Sequence, residues 1–455
     1  MRSTRLTLAL ICLAVTATVG ATATSAPAAG VPSEPFFPAA GNPGYDAVDY
    51  RVRLAYRPAG WIKASTTITA VATSRLDRFS LDFFGPRVTG VSIGGEPVAF
   101  ERPLGKLRVH PAEPIEAGSR FEVEVRYIGT PPVVVDADRS KEGWRQTDDG
   151  ALALGEPQGT AAWIPCNNVP TDKATFAFDL IVRADRKAVA NGRLVEVREL
   201  GRLKRFSWVE ADPMSPYLAL LAIGRGRLIK SEAAGVPAWT FVDPRMERAS
   251  RAALANLSEI VRFQSRLFGG YPFGAAGSVV DYAPGPGYAL ETQTRPIYTF
   301  APDRTLVVHE TAHQWFGNSV GLERWPDIWL NEGFATWVQW YYAERHGGPS
   351  AQEIFKGLYR VPAADRGFWN PPPGRPGDPA NLFDASVYVR GAMTLQALRQ
   401  EIGTKPMLRV LRTWAIEQRH GSAGIEEFVA HAERVSDRNL DRLFRRWLYQ
   451  RGKPQ

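Results

Sequence analysis

Apolar and polar residues alternate one for one along Tyr50 to Tyr56 (YRVRLAY) and Phe121 to Tyr127 (FEVEVRY). A period of two marks a strand with one face buried. Ile62 to Val71, Arg78 to Phe84 and Lys106 to Val109 read the same way, as do Ala174 to Val182, Ala188 to Val197 and Leu203 to Val209. Tyr217 to Ile223 is nearly all apolar, as an inner strand would be. Glycine and proline clusters separate these runs at the short spacing of an antiparallel β-sandwich. The pattern predicts a first domain of this kind over about residues 35–230.

From Met246 onward the period changes to that of helices. Met246 to Phe268 carries apolar residues at helical spacing and stops at Gly269-Gly270. Leu306 to Phe316, Ile328 to Ala343, Gln352 to Leu358, Val387 to Leu398, Lys405 to Glu417, Ile425 to Ala432 and Leu440 to Tyr449 are further predicted helices. Asn370 to Pro379 (NPPPGRPGDP) is too dense in proline and glycine for a helix or an inner strand. A second, mainly helical domain is expected over 231–455, giving an α+β multidomain chain.

Composition changes this picture little. With 44% apolar and 22% charged residues in 455, the chain is neither disordered nor fibrous. The formal charge of +8 is spread among acidic residues with no like-charge run, which argues against a nucleic-acid partner. The N-terminus adds an address. Arg2 and Arg5 precede an apolar stretch, Leu6 to Val19, and small residues follow in A-x-A patterns at Ala21 to Ala23 and Ala26 to Ala28. This is the layout of a secretory signal peptide, over about 1–28 with cleavage between about 21 and 30. The apolar stretch is short of the roughly 20 residues that span a bilayer. The expected product is therefore secreted or associated with the cell envelope, with no stable membrane anchor. Once the signal is removed, only Cys166 remains, so no intramolecular disulfide can form.

The strongest chemical signal is His309-Glu310-Thr311-Ala312-His313. On a helix, positions four apart share a face, so both imidazoles can point at one cation with Glu310 beside them. Glu332 opens the next predicted helix, with 18 residues between it and His313. That interval holds a helix end, a loop and a helix start, and can return a carboxylate to the metal. Two histidines and one glutamate are the ligand set of hydrolytic zinc sites, with a fourth position left for water. One Zn2+ per chain is expected, held by His309, His313 and Glu332. Zinc lowers the pKa of its water to about 7. Glu310 is then placed to take that proton as general base and pass it to the leaving amine. His110, His346, His420 and His431 show no ligand spacing and are expected to be solvated or capping.

With these residues in view the sequence resembles the aminopeptidase N family of gluzincin zinc metallopeptidases, which includes the leukotriene hydrolase-like enzymes. Motifs appear in the family's order over about residues 150–450. The resemblance implies a thermolysin-like catalytic domain. The family's Gly-Ala-Met-Glu-Asn stretch is matched by Tyr288-Ala289-Leu290-Glu291-Thr292, which implies that Glu291 binds the substrate's free α-amino group. Glu156, nine residues before Pro165-Cys166, is implied as a second amine anchor, and Cys166 itself as packing. Tyr388, in Val387-Tyr388-Val389-Arg390-Gly391-Ala392, matches the tyrosine that donates to the oxyanion. Tyr288, Leu290 and Trp163 are expected near the anchors, lining the pocket. Many members carry a large C-terminal helical domain. This sequence ends before one would begin, so a short form is expected, its cleft either more open or closed by another surface.

The residues and the resemblance together imply a secreted zinc aminopeptidase acting on peptides with a free N-terminus. Two alternatives use the same scaffold. A thermolysin-like endopeptidase would share the zinc set but has no use for paired anionic anchors. A non-catalytic binding protein should have lost a ligand or the base, and His309, His313, Glu332 and Glu310 are all present. Epoxide hydrolysis, known in one branch of the family, has no positive sign. Neither the preferred N-terminal residue nor the oligomeric state can be read.

Overall fold

The structure, a computed structural model, describes residues 34–455. The expected signal segment lies outside the described residues. An eight-stranded sheet is the largest unit of the N-terminal half. At its centre lie Tyr45–Tyr56, Ile62–Ala72, Arg120–Gly129 and Ala174–Arg183. The alternation that predicted these strands is the alternation of their burial: Val52 and Leu54 are buried while Arg51 and Arg53 are exposed. A five-stranded sheet (Val133–Val135, Lys141–Gln146, Ala151–Leu154, Lys187–Val189, Leu221–Gly224) and a three-stranded one (Phe79–Asp82, Ala99–Glu101, Lys106–His110) complete the β domain. Aromatic contacts line the large sheet and bridge it to its neighbour. Tyr50 stacks on Phe176 at 4.7 Å, and Phe83 meets Tyr127 edge-on at 5.0 Å.

Three details depart from the sequence expectation. The sheet is not wholly antiparallel, since Tyr45–Tyr56 pairs parallel with Ala174–Arg183, Val52 facing Phe178. The long intervening chain, which builds the other sheets, makes that crossover possible. Ala188 to Val197 is not one strand. It splits into Lys187–Val189 and Arg193–Leu200, which join different sheets. Gly192 makes the turn at φ +77°, and a Cβ there would lie 2.0 Å from the Val209 carbonyl. Tyr217 to Ile223 begins as a short 3₁₀ turn, Pro216–Leu218, before the strand Leu221–Gly224.

The second half is mainly helical but contains a sheet that helical periodicity does not reveal. Arg227–Ala233, Val236–Val242, Ala276–Val280, Ala289–Leu290 and Ile297–Tyr298 form a mixed five-stranded sheet. Val236–Val242 runs parallel to Ala276–Val280, with helices Glu247–Leu254 and Leu257–Phe268 crossing between them. The single helix expected over Met246 to Phe268 is thus two. The Asn256 side chain bonds the Ala252 carbonyl at 2.6 Å at the break, a local contact that competes with the helical ladder. No helix among the described residues is long and apolar enough to cross a membrane.

Two helices of this half matter most, Trp329–Arg345 and Ala385–Ile402. They meet at Gly333 and Gly391, where a Cβ built on Gly333 would lie 2.9 Å from the Gly391 backbone. Only glycine lets the two backbones come so close. That contact sets the separation between Glu332, one residue before Gly333, and Tyr388, three residues before Gly391. Gly391→Ala should therefore lower stability by about 1–3 kcal/mol, the usual cost of overpacking. Denaturant unfolding measures it, and a matched Gly367→Ala control, where the nearest atom to a built Cβ is 3.8 Å away, should show far less.

Candidate metal centre and substrate cleft

Helix Arg304–Ala312 begins at Asp303, whose carboxylate accepts from the Leu306 amide at 2.8 Å as an N-cap. Its last turn carries His309 and Glu310, and His313 follows at its C-cap. The imidazole centroids of His309 and His313 are 4.7 Å apart. The first turn of helix Trp329–Arg345 brings Glu332 to them. Its Oε2 lies 3.2 Å from His309 Nε2 and 3.5 Å from His313 Nε2. Donor atoms around a tetrahedral zinc at about 2.0–2.1 Å are about 3.3 Å from one another, so the spacing fits that ion. His313 Nδ1 lies 3.1 Å from the Phe316 carbonyl. A proton held there by that carbonyl leaves Nε2 as a lone-pair donor toward the shared centre. The three side chains are buried.

The carboxylates of this centre are coupled to one another. Burial alone would lower the pKa of His313, but Glu332, Glu291 and Glu310 outweigh it and raise it to about 10. Burial alone would raise Glu332, yet His313 and then His309 hold it down at about 2. Burial pushes Glu310 well above the ordinary glutamate range, and Glu291 and Glu332 add to the shift.

The other predicted site residues converge on the same place. Glu156, Glu291, Glu310 and Tyr388 line one cavity of about 570 Å³ together with the three ligands. The Tyr388 ring stacks near His309 at 6.1 Å, and burial keeps its phenol protonated far past the ordinary tyrosine range. Glu156 is 8% exposed and Glu291 3%, and each keeps one buried carboxylate oxygen without a hydrogen-bond partner. Burial, then the charge of Glu291, raises Glu156 well above the ordinary range, and Glu291 is raised as well. Two such carboxyls side by side call for a cation between them.

The position of Glu291 is fixed by residues that the sequence reading did not single out. Its carbonyl accepts from Gln314 Nε2 at 3.2 Å and from Asn318 Nδ2 at 2.7 Å, both just beyond the metal helix. Four residues on, Arg295 is fully buried and donates to the carbonyls of Trp239, Ala190 and Gly192. Asn191 bonds the Gln293 carbonyl at 2.8 Å. The loop bearing Glu291 is thereby tied to the β domain that supplies Glu156. A single sequence carries no signal for these contacts, since polar residues in loops usually face water.

Some expectations are corrected. Tyr288 and Leu290 line the cavity, but Trp163 does not. It is buried in the β core, 6.4 Å from the Phe178 ring. His431 is neither solvated nor a cap: it is buried, with Nε2 2.9 Å from Thr413 and 3.0 Å from the Val410 carbonyl. Cys166 is buried, and its backbone pairs with Asp82, as packing requires.

Residues 301–447, which hold the metal helix, Glu332 and Tyr388, match the family model "Peptidase family M1 domain". The crystal structure of an M1 zinc metallopeptidase from Deinococcus radiodurans superposes with a TM-score of 0.85 at 27% identity, covering 93% of this chain and 98% of that one. By its matched domain and its fold the chain resembles the M1 zinc metallopeptidases. The zinc metallopeptidases among its structural neighbours support zinc as the ion that the His309, His313 and Glu332 group would hold. A form of the Deinococcus M1 protein with a Tyr-Ser-Ala substrate bound is equally similar, with a TM-score of 0.85. Among curated relatives, "Aminopeptidase M1" of Arabidopsis thaliana is 28% identical over 327 residues, 67% of this chain and 37% of its own length. "Glutamyl aminopeptidase" of Bos taurus is 24% identical over 333 residues, 68% of this chain and 35% of its own. The chain thus spans little more than a third of the length of these M1 relatives. Elemental analysis of purified protein should find one zinc per chain, and His313→Ala or Glu332→Ala should lower zinc affinity by more than the about 10–100-fold that loss of a supporting partner costs.

Proposed function

We propose that the protein is an aminopeptidase that removes N-terminal residues from peptides at the His309–His313–Glu332 centre. The observation that carries this reading is the pair Glu156 and Glu291. Two buried carboxylates with unpaired oxygens face the same cavity as the metal ligands and the candidate base. A free α-ammonium group satisfies both at once, which fixes the scissile bond one residue from the N-terminus. A mid-chain peptide offers no cation there and leaves two buried carboxylates opposed, so the endopeptidase alternative is disfavoured.

Bound zinc supplies a Lewis acid that acidifies water and polarises the substrate carbonyl. Glu310 takes a proton from the attacking water and returns it to the departing amine. The raised pKa of this buried carboxyl suits both transfers. Tyr388, kept protonated by burial, donates to the developing oxyanion. Glu156 and Glu291 hold the amine and so set the register. The bound tripeptide in the Deinococcus structure is in keeping with a peptide substrate. Export through the N-terminal signal pattern belongs to the same proposal, and N-terminal sequencing of material from the culture medium would test it.

Comparing a free-amine aminoacyl amide with its N-acetylated form tests the exopeptidase reading: only the first should be cleaved, and equal cleavage overturns it. Glu310→Gln should retain zinc and lose about 10²–10⁴-fold in kcat. Unchanged turnover would remove Glu310 from the mechanism. The base acts only when ionised, and burial has raised its pKa. Activity should therefore fall as pH drops, on an acid limb lying above the ordinary glutamate range.

A further inference from the structure

We infer that the cavity rejects acidic N-terminal side chains and takes large apolar or cationic ones, with Asp138 as the residue that reads the charge. This rests on the aminopeptidase reading and adds the substrate class to it. Five carboxylates line the cavity: Asp138, Glu156, Glu291, Glu310 and Glu332. No lysine or arginine does. A bound dication and one substrate ammonium still leave the carboxylates in excess. A glutamate or aspartate side chain in this space has no lysine or arginine to meet and several like charges to face. The remaining wall is largely apolar, with Tyr288, Phe300, Leu306 and Phe383 among its residues. It can bury the rings and alkyl stems of large side chains.

Asp138 differs from the other four carboxylates. It lies outside the metal, base and amine-anchor set, and it is exposed, at the mouth of the cavity. One of its oxygens accepts from the Ser140 amide at 2.7 Å, and it makes no ion pair among the described residues. Its neighbours Arg139 and Lys141 do not line the cavity. Tyr288, just before strand Ala289–Leu290, anchors this rim, its hydroxyl donating to the Lys141 carbonyl at 3.0 Å. A cationic side chain that reaches out of the cavity therefore ends near a free carboxylate.

The test is a panel of leucyl, phenylalanyl, arginyl, glutamyl and aspartyl fluorogenic amides on the zinc-loaded chain. The glutamyl and aspartyl amides should fall about a hundredfold or more below leucyl in kcat/KM, while arginyl stays within about tenfold of it. Asp138→Lys should lower the arginyl-to-leucyl ratio about tenfold and raise the glutamyl-to-leucyl ratio, both effects shrinking at high salt. A glutamyl amide within threefold of leucyl, or ratios untouched by Asp138→Lys, overturns the inference. Calorimetry of amino-acid amides on zinc-loaded Glu310→Gln gives a second readout without turnover: leucinamide and argininamide should bind and glutamic acid amide should not. If no amide is cleaved the aminopeptidase reading fails, and the binding order still decides the charge selectivity.

Discussion

Four carboxylates, Glu156, Glu291, Glu310 and Glu332, are buried around one small volume, and this crowding governs the rest of the molecule. Charged groups taken out of water repel strongly when alike and are tolerated only with cations or protons between them. Burial and mutual repulsion push the carboxyls of Glu156, Glu291 and Glu310 above the ordinary glutamate range, and the surrounding carboxylates raise His313. A zinc ion and a substrate ammonium answer the same need with greater geometric demand. On the proposed function the centre would bind both through a field that the fold has already assembled.

Such a field must be held rigidly, and the holding groups are mostly neutral. The glycine contact between helices Trp329–Arg345 and Ala385–Ile402 fixes Glu332 against Tyr388 without any polar group. Gln314 and Asn318 grip the backbone of Glu291 rather than its carboxylate, so its side-chain oxygens stay available. Asn191 and Arg295 join that loop to the β domain, which is how two distant stretches of chain present Glu156 and Glu291 as a pair.

The metal ligands were legible because helical periodicity alone places residues four apart on one face, and His309 and His313 satisfy it within a single turn. Glu332 was legible because a second helix begins at a plausible distance. Glu291 and Glu156 lie on non-helical segments, where no period constrains direction. Their roles came from resemblance and their convergence from the structure. The mixed sheet over Arg227–Tyr298 was missed because two of its strands are two residues long and the others are interleaved with helices. Trp163 was misplaced for a related reason. Nearness in sequence to Glu156 says nothing about which way an aromatic side chain turns, and burial against Phe178 decided it.

The protein does own buried cations, and their disposition explains why the cavity stays anionic. Arg390 is fully buried, yet its guanidinium donates to the carbonyls of Trp447, Trp369, Gly452, Arg446 and Gln450 and ties down the C-terminal segment. Arg295 likewise donates to three carbonyls, and half-buried Lys173 to those of Asn318, Ser319 and Gly421. Each uses its hydrogen-bond donors on main-chain oxygens, which carry partial charge and cannot be protonated near neutral pH. Had any of the three turned toward Glu156 or Glu291, it would have formed a salt bridge in the place that the proposed function gives to the substrate amine. Keeping the internal cations on carbonyls reserves the carboxylates for cations that arrive from outside.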